Sequence, residues 1–254
     1  MASEKYLTTY DRLRQFTDAR IGLKTTGSSL STEELLKFQF DWAQARDAVY
    51  HTVDTDAMRE ELSRVGIPSV RVTSAASSRA VYLRRPDLGR ILSDQGMAEL
   101  SGLSKTAPDI AIVVADGLSG LAVSKHASTL VRTFRELAMN QGWSLSPVIL
   151  VEQGRVAIGD PIGEAISARL TVTIIGERPG LSAADSLGVY ITYNPSSERN
   201  DAERNCISNI RPGGQHPDTA SSTMIYLIRE ALRMRLTGVN LKDNSQLAIE
   251  GNAH

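Results

Sequence analysis

The stretch DIAIVVADG, residues 109–117, decides how this chain is read. Six apolar residues, mostly β-branched, run without interruption and stop at an Asp-Gly pair. A run of that length and composition predicts a parallel strand buried on both faces. A helical pattern follows, from Leu118 to about Met139, with Leu121, Leu130, Val131, Phe134, Leu137 and Ala138 on one side. The design then repeats. SPVILVEQGR (146–155) is an apolar strand closed by a glycine-bearing polar turn. GDPIGEAIS (159–167) reads as a short helix with Pro161 near its start, where a missing N–H costs little. LTVTIIGERPG (170–180) is a third strand. LGVYITYNP (187–195) is a fourth, and its alternation predicts a position nearer the edge. DTASSTMIYLIREALRMR (218–235) is the last long helix. Strand and helix in this order predict an α/β fold with a mostly parallel, Rossmann-like sheet flanked by helices.

Upstream, the pattern is helical. Ser31 and Glu34 in STEE form a capping-box signal ahead of an apolar-rich helix running to Val49. A second helix is predicted from about Asp54 to Val65, closed by Gly66 and Pro68. Before both, TDARIGLKTTGSS (17–29) reads as an arm. We divide the chain into a helical, partner-contacting N-terminal region (1–68) and an α/β ligand-binding domain (69–254). Residues 84–107 carry no readable motif.

The 254 residues are enough to bury a large core without metal or disulfide staples. With 28 basic and 29 acidic residues there is no basic field to draw in nucleic acid. No stretch approaches the length of a membrane span, and the polar start lacks the apolar core of a signal peptide. A single cysteine, Cys206, excludes an internal disulfide and fits a reducing cytoplasm. Four scattered histidines and that one thiol give no metal-ligand spacing, so no metal site is expected.

Ligands of such sheets sit beyond the carboxyl ends of the strands. Here those ends are Asp116-Gly117, Gln153-Gly154-Arg155 and the Gly176–Gly180 run with Glu177 and Arg178. Glycine lets a backbone approach a ligand, and the charges offer hydrogen bonds. The three loops are expected to line one crevice. No dinucleotide fingerprint, P-loop or nucleophile elbow is present. Ser119 near His126 leaves a hydrolase arrangement open as a minor alternative. Each position also has a plain structural reading. Asp116 can cap the following helix, Arg155 can be a solvated loop charge, Glu177 can pair with Arg178, and Cys206 can be a half-buried small residue.

A set of motifs in fixed order goes further: VVADGLS (113–119), GRV (154–156), IIGERPGLSAADSLGVYIT (174–192), RNCISNIRP (204–212) and LTGVNLK (236–242). ARIGL (19–23) and ARDAVY (45–50) extend it toward the N-terminus. Together they resemble the small subunit of ethanolamine ammonia-lyase, across nearly the whole chain. The resemblance implies an adenosylcobalamin-dependent enzyme that converts ethanolamine to acetaldehyde and ammonia by radical chemistry. The cofactor would lie between this chain and a barrel-shaped, substrate-binding large subunit in a higher-order hetero-oligomer. Carried over by motif, the cofactor contacts fall on Val156, Glu177 and Cys206, with Arg155, Arg178, Ser208 and Asp116 as neighbours. RNCISNIRP would be a cofactor-facing loop framed by Arg204, Asn205, Ser208 and Asn209. No catalytic residue is assigned to this chain, since substrate and radical handling would belong to the large subunit. D-x-H-x-x-G, the motif whose histidine replaces the cofactor's own base on cobalt, is absent, so a base-on cofactor is expected. A cytoplasmic location is expected, with nothing in the sequence to indicate a bacterial microcompartment. Two alternatives stay open: a non-catalytic scaffold subunit, or an independent α/β enzyme with an unusual site.

Overall fold

The structure is a computed structural model that describes residues 9–17, 19–103 and 107–245. The run at 109–117 yields the strand Ile110–Ala115, and every residue in it is buried. In chain order the elements are α1 (Thr9–Leu13), the short hairpin β1 (Thr25–Thr26) and β2 (Ser29–Leu30), α2 (Thr32–Tyr50), α3 (Thr55–Arg64) and β3 (Ser69–Thr73). Then come α4 (Arg79–Arg84), α5 (Asp94–Ser101), β4 (Ile110–Ala115), α6 (Gly120–Ala122), α7 (Ser128–Asn140) and β5 (Leu145–Glu152). The chain continues through α8 (Gly159–Ala165), β6 (Leu170–Gly176), β7 (Leu187–Tyr193), β8 (Asn205–Ile210) and α9 (Pro217–Met234). A π turn at Val123–Ala127 joins α6 to α7.

The main sheet has six strands in the order β3-β5-β4-β6-β7-β8. β3, β5, β4 and β6 are parallel neighbours, while β7 and β8 add antiparallel pairs at one end. This is the expected mostly parallel α/β sheet flanked by helices, with a helical N-terminal region. Alternation along β4 explains the two layers. Ile110, Ile112 and Val114 join Met58 and Leu62 of α3, Phe134 of α7 and Met224 and Ile228 of α9 in one core. Ala111, Val113 and Ala115 face the other way and pack with Leu100 of α5 and Ile158 and Ile162 beside and within α8. Both faces of the central strands are covered, so β4 is apolar throughout and the threonines that alternate along β6, Thr171 and Thr173, are buried as well.

The connections leave β4 and β5 in opposite senses. The chain passes from β4 through α7 to β5 on one side, then from β5 through α8 to β6 on the other side of β4. Adjacent loops diverge at such a reversal and open a crevice at the carboxyl ends.

Ser31 caps α2 by accepting the Glu34 N–H, and Asp54 caps α3 by accepting the Ala57 N–H, as the signals predict. Three features differ from expectation. RNCISNIRP is not a loop: residues 205–210 form the edge strand β8, paired with β7. Its mixed polar pattern fits a strand with one covered face, because α9 packs Ile207 and Ile210 from one side only. SVRVT (69–73) forms the opposite edge strand, which the sequence did not announce. The motif-free region 84–107 includes α5, which buries Leu100 against the sheet.

Close backbone approach at the carboxyl edge depends on glycine. Gly117 has φ +58°, and a Cβ there would lie 2.2 Å from Gly176 O. Leu118 N donates to that same oxygen at 2.9 Å. Gly117→Ala therefore meets both left-handed backbone strain and a collision with an adjacent main chain. We expect it to lower unfolding stability by about 3 kcal/mol, read as a shift of the urea midpoint. An unshifted midpoint contradicts this packing.

Candidate functional site

Three loops at the carboxyl edge meet around one buried carboxylate. Asp116 ends β4. Its Oδ2 accepts Gln153 N and its Oδ1 accepts Gly154 N, both at 2.9 Å. This ties the turn after β4 to the turn after β5. Burial pushes the Asp116 carboxyl up to about 6, against the opposing pull of Arg79 and of the backbone N–H groups. The carboxylate is turned into the protein and does not line the crevice in front of it. Gly117, the next residue, does.

The crevice has a volume of about 420 Å³. Arg155 and Val156 come from the turn after β5, Gly176, Glu177 and Arg178 from the end of β6, and Tyr190 from β7, with Tyr82 from α4 beneath. Four of the seven sequence-derived candidates, Arg155, Val156, Glu177 and Arg178, thus share one opening. Cys206 stands opposite Tyr190 across the β7–β8 pair. Cys206 and Ser208 share one face of β8 by alternation, and both are exposed. Although the residue is exposed at the surface, partial desolvation of its thiol against the sheet pushes Cys206 up and the Glu177 charge adds to that, the direction opposite to activation of a nucleophile.

Glu177 is held from two directions. Its Oε2 accepts Ser186 Oγ at 2.6 Å and Asn209 N at 3.1 Å. Its Oε1 carries none of the described hydrogen bonds. No bond between Glu177 and Arg178 is described either, so the local ion pair considered from sequence is not what holds Glu177. Arg155 stacks over the Tyr82 ring at 4.2 Å, and Tyr82 donates its hydroxyl to Gly154 O at 3.1 Å. Arg155 Nε is buried without a hydrogen-bond partner, and Arg155 has no carboxylate partner among the described ion pairs. The crevice therefore presents an unfilled acceptor, Glu177 Oε1, and the guanidinium of Arg155, which has no carboxylate partner among the described ion pairs and whose Nε is turned inward.

The frame around Cys206 separates into parts. Arg204 is buried and faces α8, where it makes a bidentate pair with Asp160 at 2.7 Å on each arm. Asn205 donates to Leu241 O at 2.8 Å and accepts Gly238 N at 2.8 Å, which anchors the LTGVNLK segment. Asn209, at φ +58°, turns its N–H toward Glu177. Of the framing residues, Asn209 shapes the crevice through Glu177, while Arg204 and Asn205 anchor β8 from elsewhere. Ser119 is fully buried, donates to Ala184 O at 2.7 Å and caps the turn at Ala122, so it is no nucleophile. His126 contacts Asp185, not Ser119. Tyr82, Tyr190 and Arg79 were not anticipated. For Tyr190 a signal existed: in VYI it is the aromatic with a polar tip facing away from Val189 and Ile191.

Among the described residues there is no metal-ligand cluster, and no helix is long and apolar enough to cross a membrane. What remains is an α/β fold with a crevice at the carboxyl edge of its sheet that is lined by polar groups. The chain belongs to the ethanolamine ammonia-lyase light-chain family, because the model described as "Ethanolamine ammonia-lyase light chain (EutC)" matches residues 8–242. The ethanolamine ammonia-lyase small subunit of Pseudomonas putida (strain W619) is 51% identical over 238 residues, 92% of this chain and 88% of that protein. The small subunit of Pseudomonas aeruginosa (strain UCBPP-PA14) is 51% identical over 245 residues, 95% of this chain and 90% of the relative. That of Xanthomonas campestris pv. campestris (strain B100) is 49% identical over 243 residues, 94% of this chain and 89% of the relative. The family is that of a lyase, and a small subunit implies a large-subunit partner.

The raised Asp116 carboxyl has a definite consequence for stability. Its folded value, about 6, lies above its ordinary value of 3.8, so folding favours the protonated form. Its contribution is largest in acid, falls as pH rises from about 4 to about 6, and is flat above that. The stability of the native chain relative to Asp116→Asn should fall by roughly 3 kcal/mol across this window, measured by urea unfolding at successive pH values. A difference independent of pH rejects the assignment.

Proposed function

We propose that this chain supplies one wall of an adenosylcobalamin site shared with the large subunit, for conversion of ethanolamine to acetaldehyde and ammonia. The observation that carries this reading is that one crevice brings together Glu177, whose Oε1 carries none of the described hydrogen bonds, and Arg155, which has no carboxylate partner among the described ion pairs, beside Tyr190 and Cys206. Corrin side chains end in primary amides, which need both acceptors and donors, and the nucleotide tail carries a phosphate, which suits a guanidinium. The residues present fit that group. A corrinoid is also several times larger than this crevice, so a second protein surface has to cover the rest.

When bound, the cofactor supplies the radical chemistry. This chain binds and orients. Glu177 Oε1 accepts an amide N–H, Arg155 pairs with the phosphate, and Val156 contacts through its backbone. Cys206 offers a small, weakly hydrogen-bonding surface kept as a thiol. Arg178 and Ser208, both exposed at the rim, are neighbours of the same ligand. Asp116 acts from behind, by holding the loops. With no D-x-H-x-x-G motif in the sequence, no histidine of this chain would be expected to replace the cofactor's own base.

The partner-contacting surface in this reading is the N-terminal region, and α2 above all. Over nineteen residues α2 buries only Asp41 and Ala48. Leu36, Phe40 and Trp42 are 60%, 62% and 53% exposed. Apolar surface of this extent signals a protein contact. A cytoplasmic hetero-oligomer completes the reading.

The test is corrin retention. The chain is co-expressed with a large subunit, incubated with adenosylcobalamin and passed through gel filtration while corrin absorbance is recorded. We expect corrin in the complex peak. Glu177→Ala and Arg155→Ala should each weaken retention on the order of tenfold, and Cys206→Ala less. A stable complex without corrin rejects the reading. In the same experiment Trp42→Glu should weaken subunit association by at least about tenfold. Undiminished co-elution would remove α2 from the interface.

A further inference from the structure

Arg79 stands where the partner-facing helix meets the crevice. It opens α4, and only 12% of its side chain is exposed. Its Nε donates to Val49 O, in the last turn of α2, at 2.8 Å. Its Nη1 donates to Gly117 O at 2.8 Å and lies 3.5 Å from Asp116 Oδ2. Its guanidinium stacks on Tyr82 at 4.7 Å, the same ring that carries Arg155 at 4.2 Å. Two cations on one phenol ring repel each other, and only Arg79 has a carboxylate beside it. The arrangement is fixed by the groups around it. From α2, contacts run through Arg79 to Gly117 and Gly176, and through Tyr82 to Arg155, which reaches both walls of the crevice. A second contact reinforces the junction: a Cβ on Gly120 would lie 2.3 Å from His51 O, so the end of α2 rests on the turn after β4.

We infer that Arg79 is a positioning residue that couples engagement of α2 by the large subunit to the shape of the cofactor crevice. The inference rests on the cobalamin reading above. When α2 is clamped by a partner, Val49 O is fixed. Arg79 is then fixed, and so are the Gly117 turn and the ring under Arg155. Such coupling is reciprocal: corrin tightens subunit association by the same factor that association tightens corrin binding.

The test uses the purified complex and cyanocobalamin as probe. Subunit affinity is measured with and without saturating cyanocobalamin, for the native chain and for Arg79→Lys. Lysine keeps a charge beside Asp116 but lacks the planar fork that reaches Val49 O and Gly117 O together and stacks on Tyr82. Coupling that arises because the corrin touches both chains is common to both proteins, so their difference isolates Arg79. We expect the tightening by cyanocobalamin to fall about fivefold or more in Arg79→Lys, while the thermal midpoint of the free chain drops as the lost hydrogen bonds to Val49 O and Gly117 O require. The same tightening in both proteins overturns the inference. So does a variant that loses stability and both affinities together while the ratio holds. Hydrogen exchange gives a readout without any variant: large-subunit binding alone should slow exchange at the Leu118, Gln153 and Gly154 amides. No change there also overturns it. If the native complex retains no cyanocobalamin, the cobalamin reading itself has failed. That outcome is recognised in the native protein before Arg79 is touched, and the inference falls with it.

Discussion

The carboxylate of Asp116 organises the functional end of this molecule. A parallel sheet leaves its strand ends joined only to their own crossovers, and nothing in the ladder fixes one loop against the next. Asp116 provides that link by accepting two backbone N–H groups from the turn after β5. The cost is a buried charge, visible as a carboxyl pushed up to about 6 by burial. Two N–H groups and the nearby Arg79 offset that cost without removing it. With the loops held, Gly154 receives the Tyr82 hydroxyl, and Tyr82 becomes the platform for Arg155. The position of a crevice cation thus follows from an acid that never reaches the crevice.

The other wall follows from how the sheet is extended. β7 and β8 are covered by α9 on one face, while α8 stops over β6 on the other. The uncovered strip holds Tyr190, Cys206 and Ser208, and an open strip beside a crevice is a ligand or partner surface. Glu177 closes the corner. It leaves β6, accepts Ser186 Oγ ahead of β7 and accepts the Asn209 N–H on β8, so one carboxylate fixes three strands. Both of these bonds go to Oε2.

The central strands were legible in the sequence because burial on both faces leaves a continuous apolar run. Ile110–Ala115 announces itself for that reason, and Leu170–Gly176 does so through its β-branched content, its two buried threonines included. The edge strands were not legible. In NCISNI only Ile207 and Ile210 are buried, and in SVRVT Arg71 points to solvent. A strand with one open face at a sheet edge carries too few apolar residues for its period to stand out. The site was legible as a set of loops: glycine beside charge after three strands located Arg155, Val156, Glu177 and Arg178 in one opening. Individual roles were not. Arg204 looks like part of the frame around Cys206 in sequence, yet its carboxylate, Asp160, is 44 residues away on α8 and faces elsewhere. Asp116 looks like a ligand contact or a helix cap, yet its partners are main-chain N–H groups 37 and 38 positions downstream. Backbone partners leave no trace in side-chain identity.

The same bookkeeping of satisfied and unsatisfied groups explains why this chain reads as half of a site. Inside the fold, polar groups are matched with care: Arg204 is forked onto Asp160, Asn205 onto the 238–241 backbone, and Ser119 between a carbonyl and an N–H. Unmatched buried atoms are few, and three of them, on Arg79, Gln153 and Arg155, belong to the shell around Asp116 and Tyr82. The other two described, on Thr171 and Ser221, are single hydroxyls, so the unmatched guanidinium nitrogens are confined to this shell. On the far side of that shell, α2 exposes Phe40 and Trp42. The two deficits differ in chemistry, one polar and one apolar, and Arg79 is bonded to the structures that carry both. On the reading proposed above, filling one deficit would change the constraint on the other, as a ligand held between two chains requires.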